Sequence, residues 1–463
     1  MLIPALRSPR LPLACLAVAV LWYPLLMWFL GFAPFQAQDF GLAFNSMAEH
    51  LLSGRFDVDP DAIGAEGFTV GERSVAYFGI FCAVLRIPLV LWPGGARLDV
   101  TWWSCLGALC LAAFFQARAV SLAWRAGPET PRRGWLAAAL LLCLLLGSPN
   151  IAFLRPSIYQ EPISWGYAEA MGFLVLALRG LTLETGFDRR TLVLMALCAA
   201  LALLTRVSFG IGLYAALGLL LLVRLRSLRE RPGEWLAPGC VLLLGVLLTG
   251  LVNHGRWGNP LVFADYSLFN LSQDAAPGRL GRLAAYGAFH PARLWLGLGY
   301  YFLPVWIWLR ADGHVLFAET QSVLMDSMEL PPGSFFLSDP FLLVLAAAGL
   351  WTVRDRARAA LSLGLSLPIG LMLCAISMAH RYRMEFYPLL IFAALLALTA
   401  PRREERAGPG LPGRGFRAAV VAGVVVSVLT AHAMAAIVAR SPWGPGEFYL
   451  ESQGLIETYR RAP

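Results

Sequence analysis

Apolar runs long enough to cross a lipid bilayer recur along most of this chain, separated by short segments dense in arginine. A helix rises about 1.5 Å per residue, so ~20 apolar residues cover the ~30 Å of hydrocarbon in a membrane. In that medium every backbone donor and acceptor must be satisfied within the segment, which runs of this length achieve as helices. The predicted fold is therefore all-α and polytopic. Only 14% of the residues are charged against 58% hydrophobic, a balance that excludes a soluble globular domain. All 37 basic residues are arginine, and the net charge of +8 is spread over many short loops. That spread fits the charge bias of membrane loops and offers no basic patch for a nucleic acid, so no nucleic-acid partner is expected.

Eleven spans are predicted, near 11–33, 100–117, 135–150, 163–178, 191–205, 208–223, 236–252, 339–353, 359–379, 385–400 and 418–438. With the N-terminus inside, 21 of the 37 arginines fall in the N-terminal segment and the short inner turns, which sets the orientation. Arg7 and Arg10 precede the first run, which at about 23 residues exceeds the 7–15 of a signal-peptide core and is read as a retained span. The stretch 74–92 is apolar enough to be counted as a span, yet counting it would push the arginines of 118–133 outside. It is placed instead as an interfacial or re-entrant helix on the outer face, with Arg86 snorkelling to the headgroups. The runs 191–205 and 208–223, joined through Thr205, Arg206 and Val207, are also compatible with one broken helix.

Two long outer loops follow from this threading, 34–98 and 253–338. The second holds an aromatic stretch, 294–309, with Trp295, Tyr300, Tyr301, Trp306 and Trp308, residue types that settle at the membrane–water interface. The eight cysteines lie in apolar segments without metal or disulfide spacing and read as small core residues. No soluble domain or internal repeat is evident, so 1–463 reads as a single membrane unit with its working surface outside.

Asp39 stands just beyond the first span and opens the phrase Asp39-Phe-Gly-Leu-Ala-Phe-Asn-Ser-Met-Ala-Glu49-His-Leu-Leu-Ser-Gly54. An acid in that place, followed by an amphipathic segment and a Leu-Leu-Ser-Gly turn, resembles the first external loop of the GT-C superfamily. These are integral-membrane glycosyltransferases that use lipid-linked sugars, among them the protein O-mannosyltransferases and the aminoarabinose transferases of lipid A. Asp39, Glu49, Leu51, Ser53 and Gly54 keep the order and spacing of that loop. The resemblance implies that Asp39 is the general base, accepting the proton of an acceptor hydroxyl as its oxygen attacks the anomeric carbon. Many members carry a second acid next to the first, whereas position 40 is Phe. A paired-carboxylate site is thereby weakened; a divalent metal stays an open question, and no other cofactor is expected.

Further phrases match in order. Tyr77 begins a segment running to Pro88, where relatives place an interfacial helix; a lipid-groove contact and a plain amphipathic anchor fit it alike. Asp57, Asp59 and Asp61 alternate, with Glu66 and Glu72 beyond. They lack the glycine and terminal Glu of a calcium loop and read as solvated. In the second external turn, Arg155-Pro-Ser-Ile-Tyr159-Gln160-Glu161, the resemblance puts Glu161 at the same cavity with Tyr159 beside it; a helix-start Glu favoured by the dipole fits as well. Arg206 is costly near a membrane unless paired or wet, and the resemblance makes it a receiver of lipid phosphate. The cluster His380-Arg381-Tyr382-Arg383 resembles the Arg-Tyr…Pro phrase that opens a late span in bacterial members. Planar guanidinium forks suit a leaving polyprenyl phosphate, though headgroup anchoring explains them nearly as well. Arg256 and His254, in a phrase similar to the start of the large outer loop in relatives, are candidate substrate contacts.

The resulting expectation is an inverting glycosyltransferase in a bacterial inner (cytoplasmic) membrane. It would move a sugar from a polyprenyl-phosphate donor to a lipid, glycan or protein acceptor at the outer face. A secondary transporter or lipid flippase is the alternative. That would need polar groups buried near the midplane and related halves, whereas the candidate acids cluster at one face. Phe40 keeps a noncatalytic scaffold in view.

Overall fold

The computed structural model describes residues 6–182, 186–225, 230, 232–270, 278–304, 323–325, 327–328, 332–399 and 413–440. Each of the eleven predicted spans contains a helix. They are α1 Leu11–Phe29, α4 Thr101–Arg125, α5 Pro131–Leu146, α6 Gln160–Thr182, α7 Arg189–Thr205, α8 Val207–Val223, α9 Gly233–Trp257, α11 Pro340–Trp351, α12 Arg356–Leu373, α13 Tyr387–Thr399 and α14 Arg414–Arg440. Among the described residues, seven helical segments are long and apolar enough to cross a membrane: α1, α4, Pro131–Ile151, α9, α12, His380–Thr399 and α14. The other four fall short of that measure. α6 carries Glu161 and Glu169, α7 and α8 have 17 residues each, and α11 has 12.

The joint at Arg206 answers the question of the broken helix. Its backbone is extended (φ −147°, ψ 105°), and Gly210 packs directly against Leu203, so the chain reverses and α7 and α8 are two arms of a hairpin. The segment 74–92 does not span. Its first residues end a strand, Arg73–Val75, that pairs with Phe68–Val70 just before it, and a ten-residue helix follows, α3 Phe81–Val90, packed on α2 Ala43–Leu52. Ten residues reach only ~15 Å, half the hydrocarbon thickness. Arg86 departs from the expectation: it is 2% exposed and, instead of snorkelling, places Nη2 2.8 and 2.7 Å from the two oxygens of Glu161. In the aromatic stretch 294–309 the helix is α10 Leu294–Phe302, with Tyr300 and Tyr301 buried; Trp306 and Trp308 lie outside the described residues.

α4 packs against α6 and α1, α7 against α6 and α9, and α8 against α12, while α13 is buried along almost its whole length. α9 and α14 instead present leucines and valines such as Leu243, Leu247 and Leu429 outward, the pattern of lipid-facing helices. A polar knot ties the first spans inside this apolar packing. Asn150 Nδ2 lies 2.9 Å from both Tyr23 Oη and Gln116 Oε1, and Gln116 Nε2 donates to Tyr167 Oη at 2.6 Å. Interhelical hydrogen bonds of this kind hold helices in lipid, where apolar contact alone discriminates weakly.

The two ends of the bundle differ. At one, the arginine-rich turns close on each other: Arg125 donates to the Arg7 carbonyl, Arg7 pairs with Glu129, and Arg133 reaches the Leu398 and Pro128 carbonyls. At the other end the segments around 40–99, 155–160, 206, 253–270 and 380–385 converge.

Within the first long loop, Asp57 is buried, contrary to the reading of these acids as solvated, whereas Asp59 is exposed and still hydrogen-bonded. His50 Nδ1 lies 2.9 Å from Asp57 Oδ1 and Nε2 3.2 Å from Asp59 Oδ1, while Ser46 Oγ donates to Asp59 Oδ2 at 2.7 Å. Burial opposes ionisation of Asp57, but hydrogen bonds from His50 and the backbone, with the charges of His50 and Arg55, hold its pKa below the usual value. The sign follows. A depressed carboxylate adds stability that is complete above the unfolded value of about 3.9 and is lost as pH falls through the folded value. Limited proteolysis across 45–60 is expected to stay slow from pH 7 to 5 and accelerate below about pH 4. His50→Ala is expected to bring that fast cleavage to pH 7, and cleavage unchanged by His50→Ala would contradict the lock.

Candidate active site

The loop that carries Asp39 is pinned from behind by Asp99. One Asp99 oxygen accepts from the Gln38 amide at 2.7 Å and the other from the Thr101 amide at 2.9 Å, while Thr101 Oγ1 donates to the Gly41 carbonyl at 3.3 Å. Gly41 lies so near the Asp99 carboxylate that a side chain there would collide with it. Between these anchors Phe40 sits in the left-handed region (φ 59°), a strained conformation for a bulky residue. Its ring lies against Gly64, where a Cβ would approach Phe40 Cε1 to 2.6 Å. Asp39, one residue earlier, is exposed, and no described residue donates a hydrogen bond to its carboxylate. Asp99 was missed in the sequence; it stands one residue before the N-cap Val100, off the usual capping position, so no capping signal marked it.

Aromatic and cationic side chains drawn from separate parts of the chain meet at the same end of the bundle. The 3₁₀ turn His380–Glu385 arranges one set of them. With three residues per turn, positions three apart share a face. His380 and Arg383 point into the bundle. The His380 ring stacks on Phe153 (5.1 Å, 11°), and Arg383 Nη2 binds Asp339 Oδ2 at 2.9 Å and Ser338 Oγ at 2.6 Å. Tyr382 and Glu385 share another face and meet Arg206, whose Nε and Nη2 both lie 2.9 Å from Glu385 Oε1 and whose guanidinium lies 5.2 Å from the Tyr382 ring. Arg381 lies over two rings, 4.6 Å from Tyr159 and 5.2 Å from Tyr382.

Tyr77 completes the wall because Gly79, two residues on, lies against the carbonyls of Leu204 and Thr205, an approach no side chain would allow. Arg256 backs the same strand: 2% exposed, it donates Nη1 to the Phe78 carbonyl at 2.8 Å. Phe78 links Tyr77 (4.4 Å) to Tyr159 (6.0 Å), and Phe68 links Tyr77 (5.8 Å) to Tyr266 (5.8 Å). Tyr77, Tyr159, Tyr266 and Tyr382 thus reach one place from four segments, with Arg206 and Arg381 among them. Burial raises the phenol pKa of Tyr77 well above normal, with Tyr382, Tyr266 and Glu66 adding to the rise and Arg206 opposing it. Tyr159 is raised by burial and then by Glu66, and Tyr266 to about 12 by burial and Tyr382. These phenols are neutral donors across the physiological range.

Of the sequence candidates, Arg206, Arg381, Tyr77 and Tyr159 are brought together here. Glu161, 0% exposed, is taken up by Arg86, and Glu49 is exposed on α2. His254 is exposed with Nδ1 3.1 Å from the Gly258 carbonyl. Tyr266 was not noticed, Tyr382 stood within the cationic phrase without a role of its own, and Glu66, here half-buried, was grouped with the acids read as solvated. Among the described residues no three acidic, histidine or cysteine side chains converge as metal ligands.

No protein-family model matches the sequence, and no curated protein sequence does either. Solved structures similar to the chain include two of oligosaccharyltransferases. One is the archaeal oligosaccharyltransferase AglB from Archaeoglobus fulgidus in complex with an inhibitory peptide and a dolichol-phosphate, at TM-score 0.51, 14% identity and 98% coverage of this chain. The other is the Archaeoglobus fulgidus oligosaccharyltransferase in the apo form, at TM-score 0.51 and 15% identity, again over 98% of this chain. The chain has the fold of these two proteins over nearly its whole length. It spans 58% and 60% of the length of those two proteins. At this identity the GT-C likeness concerns the path of the chain, and the roles of individual residues rest on the geometry above.

Proposed function

We propose that the chain is an inverting glycosyltransferase acting at the outer membrane face on a polyprenyl-phosphate sugar. The observation that carries this reading is the convergence of Arg206 and Arg381 with four tyrosines, at the bundle end where the Asp39 loop is pinned. The GT-C fold supports the same reaction class, and the dolichol-phosphate in the AglB complex is a lipid phosphate of the kind proposed as leaving group.

In the proposed step an acceptor hydroxyl gives its proton to Asp39 while its oxygen attacks the anomeric carbon. The carbon–oxygen bond to phosphate breaks on the opposite side, and the electron pair leaves with the lipid phosphate. Arg381 and Arg206 stabilise that growing charge, the term that is usually largest in such reactions. Glu385 fixes Arg206 in place, and the neutral tyrosines donate hydrogen bonds. Arg383 and His380 build the wall from behind through Asp339 and Phe153. Arg256 supports the Tyr77–Phe78 strand.

Arg381 is the residue to test, since removing Arg206 strips Glu385 of its partner. Arg381→Gln is expected to lower sugar transfer from lipid-linked donor in proteoliposomes by ~10²-fold or more. Full transfer by that variant would remove the phosphate role. Movement of the lipid-linked sugar across the bilayer, without transfer, would favour the carrier reading instead.

A further inference from the structure

Glu66 is the one acid of the tyrosine-lined cluster that has not been given a task. It ends the single 3₁₀ turn Gly64–Glu66, is half buried, and makes no ion pair with a described residue. Backbone on both sides of it is fixed. The Phe40 ring lies against Gly64, and the Asn270 amide donates to the Gly67 carbonyl at 3.1 Å. Thr69 Oγ1 donates to Asn270 Oδ1 at 2.8 Å, and the buried Phe68 is held between Tyr77, Tyr266 and Phe269. Glu66 lies near enough for its charge to be felt at Tyr159, Tyr77 and Tyr266.

A carboxylate set on backbone fixed at both sides, and ion-paired with no described residue, keeps acceptor positions for a ligand. Beside it stand aromatic faces, and beyond Tyr159 stands Arg381. Such a set fits a polyhydroxylated ring bearing a phosphate. The apolar face of the ring lies on the aromatic wall, the hydroxyls reach the carboxylate, and the phosphate reaches the arginine.

We propose that Glu66 accepts hydrogen bonds from the hydroxyls of the donor's sugar ring, which lies against Tyr159 between Glu66 and Arg381. This assignment rests on the glycosyltransferase reading and adds the residue that distinguishes a sugar-bearing lipid phosphate from a bare one. Glu66 then sets affinity for the sugar, separately from the base role of Asp39.

The test is equilibrium binding to the purified full chain in nanodiscs. The probes are citronellyl phosphate alone and citronellyl phosphate carrying glucose, mannose, galactose or arabinose. The native chain is expected to bind at least one sugar-bearing probe more tightly than the bare phosphate. In Glu66→Gln that advantage falls by about 10-fold or more, the loss expected for hydrogen bonds to a charged acceptor, while affinity for bare citronellyl phosphate is unchanged. Equal affinity of the native chain for bare and sugar-bearing probes overturns the assignment, as does a sugar preference unaltered in Glu66→Gln. Equal weakening of every probe together with a lowered thermal midpoint would make Glu66 a support for Tyr159, and the sugar contact would fail. No binding of any probe, bare phosphate included, sinks the lipid-phosphate reading itself and this assignment with it.

Discussion

Asp39→Asn is expected to yield a folded, membrane-inserted protein whose rate of sugar transfer is ~10²–10⁴-fold below that of the native chain, the contribution of a positioned general base. In barrier terms this is about 3–5.5 kcal/mol. The amide keeps the size and the hydrogen-bonding shape of the carboxylate but cannot take the acceptor's proton. Stability is expected to hold. Asp39 is exposed and binds no described residue, and substitutions at such positions cost within about 0.5 kcal/mol. The thermal midpoint in detergent and the rate of transfer from a lipid-linked donor are therefore expected to separate. Asp39→Glu, which moves the carboxylate by a methylene, is expected to recover only part of the rate. Transfer at the native rate by Asp39→Asn would remove Asp39 from the chemistry. A midpoint that drops as far as the rate would make the residue structural.

The strain at Phe40 gives this expectation its geometric footing. A bulky residue in the left-handed region costs on the order of 1–3 kcal/mol and persists only where its surroundings impose it. Here the Asp99 bonds to Gln38 and Thr101 and the seat of the Phe40 ring on Gly64 are those surroundings. The aromatic ring that replaces the expected second acid is thus what holds the Asp39 turn in shape.

What the sequence made legible, and what it hid, divides along sequence distance. The helices could be read because an apolar run carries its own length, and the arginine turns because charge bias is local. The loop at 74–92 was placed off the spans for that reason, and its ten-residue helix agrees. Arg86 was misjudged because its partner is 75 residues away, so a lone cation in an apolar run looked like an anchor. His380, Arg381 and Arg383 looked like one cationic patch, yet a 3₁₀ turn sends two of them inward and one toward the tyrosines. The lock around Asp57 was nearer to hand, since His50 precedes it by only seven residues; reading the acids as solvated overlooked that histidine. Four tyrosines from four loops could not be brought together by any local pattern.

The buried pair of Arg86 and Glu161 carries the second large expectation. Arg86 Nη2 lies 2.8 and 2.7 Å from the two Glu161 oxygens, and the side chains are 3% and 0% exposed. Removing one partner strands the other charge out of water, a loss typically of about 3–5 kcal/mol, whereas replacing both by groups of similar volume is often neutral. Arg86→Met and Glu161→Gln are each expected to lower the thermal midpoint in detergent strongly. The double variant is expected to recover most of the loss, because no orphan charge remains. The pair joins α3 to the start of α6, so its failure is expected first as local opening, with hydrogen exchange rising over 81–90 before the spans loosen. A Glu161 that served substrate instead would behave otherwise: Glu161→Gln would lose transfer at an unchanged midpoint, and adding Arg86→Met would rescue nothing. Non-additivity in stability, measured across the four proteins of the cycle, separates the two roles because coupled neighbours produce it and independent sites do not.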